Sequence, residues 1–493
     1  MVVFSVYKSR HEKNAEDYFL ASRGLKWWLI GFSIVAANIS TEQFVGMAGS
    51  SGGNVGLAVS AYQLNASIAI VIIALFFLPR FLRAGIYTMP QYLEYRYNNT
   101  ARGIMAFYTM VIYITVTVAA VLYSGGLTLH TIFGISLVKA VALIAFVAAL
   151  YTSWGGLKAA VWADLLQGSG LLLGGLLTVM LGFHAVGGVS VFFQANSDRL
   201  HMILPADHPE LPWTALAVGL WIPEFYYCGL NQFIVQRTLA AKNLREGQLG
   251  IILASALWLL IPLVIVLPGI MALQLYGDQM TTSDMAYPLL IKNLIPAGLR
   301  GFIFAVLCGA VISSIAAMLN SAATIFTIDL YNRYWNNNAS QKRLIIIGRV
   351  STVIFVIIGS MIALQLNNPV FRGVFHYIQE FQGYISPGIL AAFVFGFIFK
   401  RAPASAGVSA LVLCAPVYGF LHYFFGHIAF LNRMAITFII ICSVMAVITY
   451  FRPLKEPKIM PVKEDIDMKP APSVLWLGGL IIVSVIIFYA LFW

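Results

Sequence analysis

An all-α, polytopic membrane protein is what this sequence predicts, from its composition, the spacing of its apolar runs and the placement of its basic residues. Hydrophobic residues fill 60% of the 493 positions and charged residues only 10%, against roughly 25% charge in a soluble protein. The mean hydropathy of +0.85 holds along almost the whole chain, which leaves no room for a sizeable soluble domain. The four cysteines, Cys228, Cys308, Cys414 and Cys442, fall inside apolar runs. They offer neither a disulfide framework nor metal-ligand spacing.

A bilayer-spanning helix needs about 20 apolar residues. Windows of that length predict thirteen spans, near 27–47, 56–79, 104–130, 135–153, 160–186, 213–235, 248–274, 299–329, 343–366, 373–399, 405–425, 429–450 and 473–492. Apolar residues run round every face of most windows, as lipid requires and a soluble core does not. Residues 1–26 form a cytoplasmic lead. Within it Met1 to Tyr7 is apolar but too short to span, and it lacks the basic lead and cleavage site of a signal peptide. The expectation is the last two turns of a missing helix. Residues 187–212 read as an outer loop with a short helix. Segment 452–470, rich in charge and proline, reads as a cytoplasmic linker, with no sign of an appended kinase or receiver domain.

Orientation follows from lysine and arginine, which concentrate in cytoplasmic loops. With a cytoplasmic N-terminus and alternating spans, 24 of the 30 basic residues fall inside. Only Lys139, Arg199, Lys292, Arg300, Arg372 and Arg433 stay outside. The C-terminus is then outside. This distribution accounts for the net charge of +11 with no nucleic-acid partner.

Two polar stretches interrupt apolar spans at comparable depth: Ala36 to Gln43 in the first, and Ile222 to Gly229, with Pro223 and Glu224, in the sixth. Such breaks are tolerated mid-membrane only where the freed backbone lines a cavity or meets protein. Breaks at corresponding places in two halves point to an inverted-repeat transporter with its site at the midplane. The repeats are expected at 27–186 and 213–399, followed by three peripheral helices over 400–493. Two kinked helices in some other bundle remain the alternative.

Sodium takes oxygen ligands, and the eighth span carries Ser313 and Ser314. Serine pairs in helices often only pack or bond back to their own helix. Set beside free carbonyls near Ala36 and Ile39, they complete a small oxygen cage of the kind these folds use. Acidic residues in apolar segments are costly and tend to be functional. Here they are Glu42, Glu224, Asp164 and Glu380, with Arg237 and Lys158 as possible structural partners. Gln43, Gln63, Tyr62, Tyr227 and Gln379 mix aromatic faces with amides, as a sugar site would, although most aromatics merely pack or anchor.

Several of these runs resemble the sodium/glucose cotransporters of the solute:sodium symporter family. They are Asn38 to Met47, Tyr226-Tyr227, Gln232 to Lys242, Ser313 to Ser321, Tyr377 to Glu380 and Ser386 to Gly388. The likeness covers nearly the whole chain from about Asp17 and is nearest to bacterial galactose-transporting members. It implies a five-helix inverted-repeat (LeuT-like) fold whose first family helix is missing here. It implies a sodium site at the carbonyls of Ala36, Ile39 and Ala310 with the hydroxyls of Ser313 and Ser314, and a sodium-exit aspartate at Asp164. It places an inner gate at Tyr227, an outer gate at Met47, Tyr62 and Phe375, and sugar-binding glutamines at Gln43 and Gln379.

The rest of the sugar shell departs from the family pattern. A glutamate falls on Gln63, a serine on Ala66, an asparagine on Glu224, a lysine on Trp258 and a tryptophan on Cys228. Gaining Glu224 while losing the lysine makes the pocket more acidic, so the resemblance implies a different sugar or polyol, including one with a cationic group. The expected activity is sodium-coupled symport of a sugar or polyol across a bacterial inner membrane, with sodium as the coupling ion and no enzymatic chemistry. A non-sugar solute such as an amino acid or carboxylate, and a non-transporting sensor, are the competing readings.

Overall fold

The computed structural model describes residues 23–152 and 157–493. The expected helix stump at Met1–Tyr7 lies outside the described residues, as does the junction of the fourth and fifth spans at 153–156. Within the described residues the chain is helical along each of the thirteen expected windows. Among the described residues nine helices are individually long and apolar enough to cross a membrane. A tenth is the pair Val374–Gln382 and Ser386–Ile398, bent by 46°. The other three paths are the broken first and sixth spans and the short fourth helix, Leu137–Thr152.

Local chemistry starts several of these helices where the sequence changes character. Asn98, Asn243 and Ser340 cap the third, seventh and ninth spans by accepting from the N–H groups of Ala101, Glu246 and Arg343. Each cap satisfies a donor that the first helical turn leaves open. The first span packs on the fifth and seventh, the eighth on the fifth, and the sixth on the second. Large side chains fully or almost fully buried between the helices include Tyr226 and Phe233 of the sixth span and Tyr113 of the third. Phe146, Ile346, Val447 and Leu480 instead point outward on the fourth, ninth, twelfth and thirteenth helices. That exposed apolar band is the surface expected against lipid chains.

Both non-spanning segments fold back on the bundle. In segment 187–212, helix Val189–Ala195 precedes Arg199, whose guanidinium donates to the Gly53 carbonyl at 2.6 Å. The linker 452–470 runs along the ends of several spans. Leu454 N–H donates to the Arg401 carbonyl, Lys463 N–H to the Arg83 carbonyl, and Leu244 N–H to the Asp467 carbonyl, at 2.9, 2.7 and 3.0 Å.

Candidate functional site

Two interruptions of helical hydrogen bonding set the site. The first span is helical over Trp27–Asn38, and its last bond runs from the Ile39 N–H to the Val35 carbonyl at 2.7 Å. Ile39 then leaves helical geometry, with ψ 72°. Bonding resumes where the Gln43 N–H reaches the Ser40 carbonyl at 3.0 Å, opening a π turn over Gln43–Met47. The break falls at Asn38 to Thr41, where Asn, Ser and Thr are weaker helix formers than the alanines before them. The carbonyls of the last turn, Ala36 among them, lie at a helix C-terminus, where intrahelical partners run out.

The sixth span breaks later than its proline suggests. Trp221–Gly229 is helical, and the interruption is at Leu230 and Asn231, not at 222–229 as the sequence led us to expect. Pro223 is the third residue of that helix, where its missing N–H removes no bond. Gly229 ends the helix, and Asn231 is extended, with ψ 121°. Tyr113 from the third span holds this break. Its hydroxyl bonds the Asn231 side chain and accepts from the Phe233 N–H at 3.1 Å. Gln232–Leu239 then continues inward.

One cavity lies between the breaks, lined by the first, second, third, sixth, eighth and tenth spans. Helical spacing aims the lining residues. Glu224, Tyr227 and Cys228 share one face of the sixth span. Phe375, Ile378, Gln379 and Gln382 share one face of the tenth. Gln43 and Gln63 line it as well, with Asn38, whose amide donates to the Gln63 carbonyl oxygen at 3.2 Å. Tyr62 and Phe375 meet edge to face, their ring centroids 4.9 Å apart. Glu42 also faces in, and Glu42 Oε2, Gln43 Oε1 and the nearby Thr41 Oγ1 are buried without a hydrogen-bond partner.

Two expected contacts fall elsewhere. Trp258 is fully buried in the seventh span and is not on the cavity wall. That helix packs against the first and second spans, which turns the indole into the core. Met47 is likewise fully buried away from the wall. It follows Gly46, where a Cβ would come within 2.7 Å of Val374 and 2.9 Å of the Phe375 backbone. The glycine thus lets the first span press on the helix that carries Phe375.

The five expected sodium ligands, at Ala36, Ile39, Ala310, Ser313 and Ser314, are all buried. Asp164 stands beside them and joins the helices that carry them. Ser33, one turn before Ala36, donates to Asp164 Oδ2 at 2.5 Å, and Ser313 donates to Oδ1 at 3.3 Å. Arg237, in the part of the sixth span after its break, pairs with the same carboxylate at 2.9 Å and donates to the Ser33 hydroxyl at 2.6 Å. Buried hydroxyls and a carboxylate at a helix C-terminus are a donor set that suits a hard monovalent cation.

Glu380, the remaining acidic candidate, faces away from the cavity. Arg433 donates to both its oxygens at 3.0 Å, Tyr418 donates to one at 2.9 Å, and His422 lies 2.8 Å from it. It ties the tenth span to the eleventh and twelfth. Between the seventh and eighth spans, Asp284 accepts from the Val374 N–H at 3.1 and 3.4 Å, so it caps the helix carrying Phe375. Gly373, at φ 95°, makes the turn into that helix, and a Cβ there would approach Asp284 to 3.1 Å. Burial pushes the Asp284 carboxyl up to about 7, partly offset by that N–H and by Tyr123. Burial also raises Glu210, in segment 187–212, against the opposing pull of Arg372.

Sequence reasoning did not single out Gln382, Thr117, Met318 or Ile378 as lining residues. The three-and-four spacing from Phe375 through Ile378 and Gln379 to Gln382 was the available signal. Thr117 and Met318 are ordinary core types and carried none.

Comparison with known proteins places these features in context. The model of the sodium:solute symporter family matches residues 18–413. The sodium/glucose cotransporter of Vibrio parahaemolyticus is 37% identical, over 99% of this chain and 94% of that protein. The sodium/myo-inositol cotransporter 2 of Bos taurus is 33% identical, over 83% of this chain and 66% of that protein. Among solved structures, a sodium-coupled sialic acid symporter in a substrate-bound outward-open state aligns with a TM-score of 0.79 at 22% identity, covering 94% of this chain and 96% of that one. A nucleobase-cation-symport-1 family transporter aligns at 0.60 and 13%, covering 90% and 97%. The structural likeness shows the fold: an all-α, LeuT-like transporter architecture.

Proposed function

Because the chain belongs to the sodium:solute symporter family, we propose that it moves a sugar or polyol together with sodium by alternating access. The observation that carries this reading is one cavity, between two broken helices, that combines amides with aromatic faces next to a buried hydroxyl and carboxylate cluster. Rings cover the apolar C–H face of a sugar while amides and carboxylates meet its hydroxyls. Gln43, Gln63, Glu224 and Gln379 would hold the solute. Tyr227 would close the cavity inward, and Tyr62 and Phe375 would close it outward. Relatives named for glucose and myo-inositol support the solute class. A carboxylate solute is disfavoured, since no basic residue among the described residues lines the cavity.

Sodium would bind at the carbonyls of Ala36, Ile39 and Ala310 with Ser313 and Ser314, and would leave past Asp164. Coupling follows from the shared elements. The first span supplies carbonyls to the ion and Gln43 to the solute, so filling one site orders the wall of the other. The driving force includes about 2.3 kcal/mol per charge for each 100 mV of membrane potential. We place the protein in a bacterial inner membrane, N-terminus cytoplasmic and C-terminus outside, on the excess of basic residues in its inner loops. The two repeats are assigned to 27–186 and 213–399.

Uptake by proteoliposomes of labelled sugars and polyols, with and without an inward sodium gradient, tests the reading. Sodium-dependent uptake of one solute is expected, with KM raised about tenfold in Gln379→Ala by loss of a hydrogen bond. Uptake only of amino acids or carboxylates would refute it.

A further inference from the structure

We propose that the transported solute carries a protonated amine, an amino sugar or aminopolyol, held by Glu42 and Glu224. This rests on the sugar or polyol reading above and narrows it. Two carboxylates line one cavity, each side chain only 6% exposed. Among the described residues neither has an ion-pair partner, and no lysine, arginine or histidine lines that cavity. Elsewhere in the bundle the chain supplies an arginine to such groups, as it does for Asp164 and Glu380.

The neighbours of these carboxylates say what their counter-charge is. Gln43, 9% exposed, lines the same cavity and its Oε1 has no partner, like Glu42 Oε2. The buried lining atoms left without a partner, Glu42 Oε2 and Gln43 Oε1, are both acceptors, which suits a ligand group that only donates. An ammonium has three donors and no acceptor, and it neutralises the carboxylates as it binds. The rings of Tyr62, Phe375 and Tyr227 complete a wall suited to a cationic head as well as to the C–H face of a sugar. The sodium cage is a separate set of groups, around Asp164 and Ser313.

The test is initial sodium-driven uptake of a panel of hexoses and inositols, each as hydroxyl, primary-amine and N-acetyl forms, below the amine's own pKa. At least one amine form is expected to enter with kcat/KM about tenfold above its hydroxyl and N-acetyl counterparts. Glu224→Gln should bring that ratio close to one, whichever way the absolute rates move. The wild-type comparison needs no variant, so a misfolded mutant does not rescue the idea. Hydroxyl forms entering as well as or better than amine forms overturn this inference and leave sugar symport standing. Sodium-dependent uptake of no form at all overturns both.

Discussion

Glu224 and Glu380 are equally buried, each 6% exposed, and their surroundings could hardly differ more. Glu380 is held by Arg433, Tyr418 and His422, which join three helices at the rim of the bundle. Among the described residues Glu224 has no cationic partner, and it lines the central cavity. Glu380 with its arginine braces the scaffold, whereas Glu224 presents its carboxylate to the cavity. Burial alone does not separate the two cases. Partners do.

The sharpest way to break this comparison is to remove the cation from the scaffold site. Arg433→Ala strands Glu380 in the bundle, and such losses cost about 3–5 kcal/mol. The unfolding temperature of the purified protein should fall by far more than in Glu224→Gln, which removes a charge that has no partner to lose. Equal falls would erase the distinction. Asp164→Asn comes next, because Asp164 joins the Ser33 and Ser313 hydroxyls to Arg237. We expect the sodium concentration for half-maximal uptake to rise about tenfold, the loss of one charge-assisted bond. An unchanged sodium dependence would reduce Asp164 to a structural brace.

Asp284 extends the comparison to the connection between the seventh and eighth spans, where a carboxylate is buried against a helix N-terminus instead of an arginine. Its folded value near 7 lies above the unfolded one, so the folded state binds the extra proton. The stability it contributes is complete below about pH 4 and is lost as pH rises towards 7. Asp284→Asn should flatten the unfolding temperature across that window relative to the natural protein. The smallest effect is expected at Trp258, which is off the cavity wall. Trp258→Phe should cost stability, within about 3 kcal/mol, and leave the KM for solute unchanged. A raised KM would return Trp258 to the binding site.

The sequence carried the all-helical architecture and the first break, because both follow from local composition: apolar runs of spanning length, and the polar Asn38-Ile-Ser-Thr41. The sixth-span break was displaced because a proline reads as an interruption wherever it stands. Its position in the first turn, after the π segment Ala215–Gly219, made it harmless. Trp258 was assigned to the site by alignment of motifs, which orders residues along the chain but does not say which face of a helix they occupy. Glu380 and Arg433 are 53 residues apart on different helices, so no spacing rule links them. The Asp164–Arg237 pair was readable as a possibility, but its two serine contacts are purely tertiary.

The central claim is that the cavity between the breaks and the cluster at Asp164 and Ser313 work as one coupled site. It is tested most directly by the sodium activation curve of solute uptake in proteoliposomes, compared between the natural protein and Ser314→Ala. Coupling predicts that the variant loses sodium-driven uptake, or needs about tenfold more sodium for it, while its unfolding temperature stays near that of the natural protein. Superimposable activation curves would contradict the account.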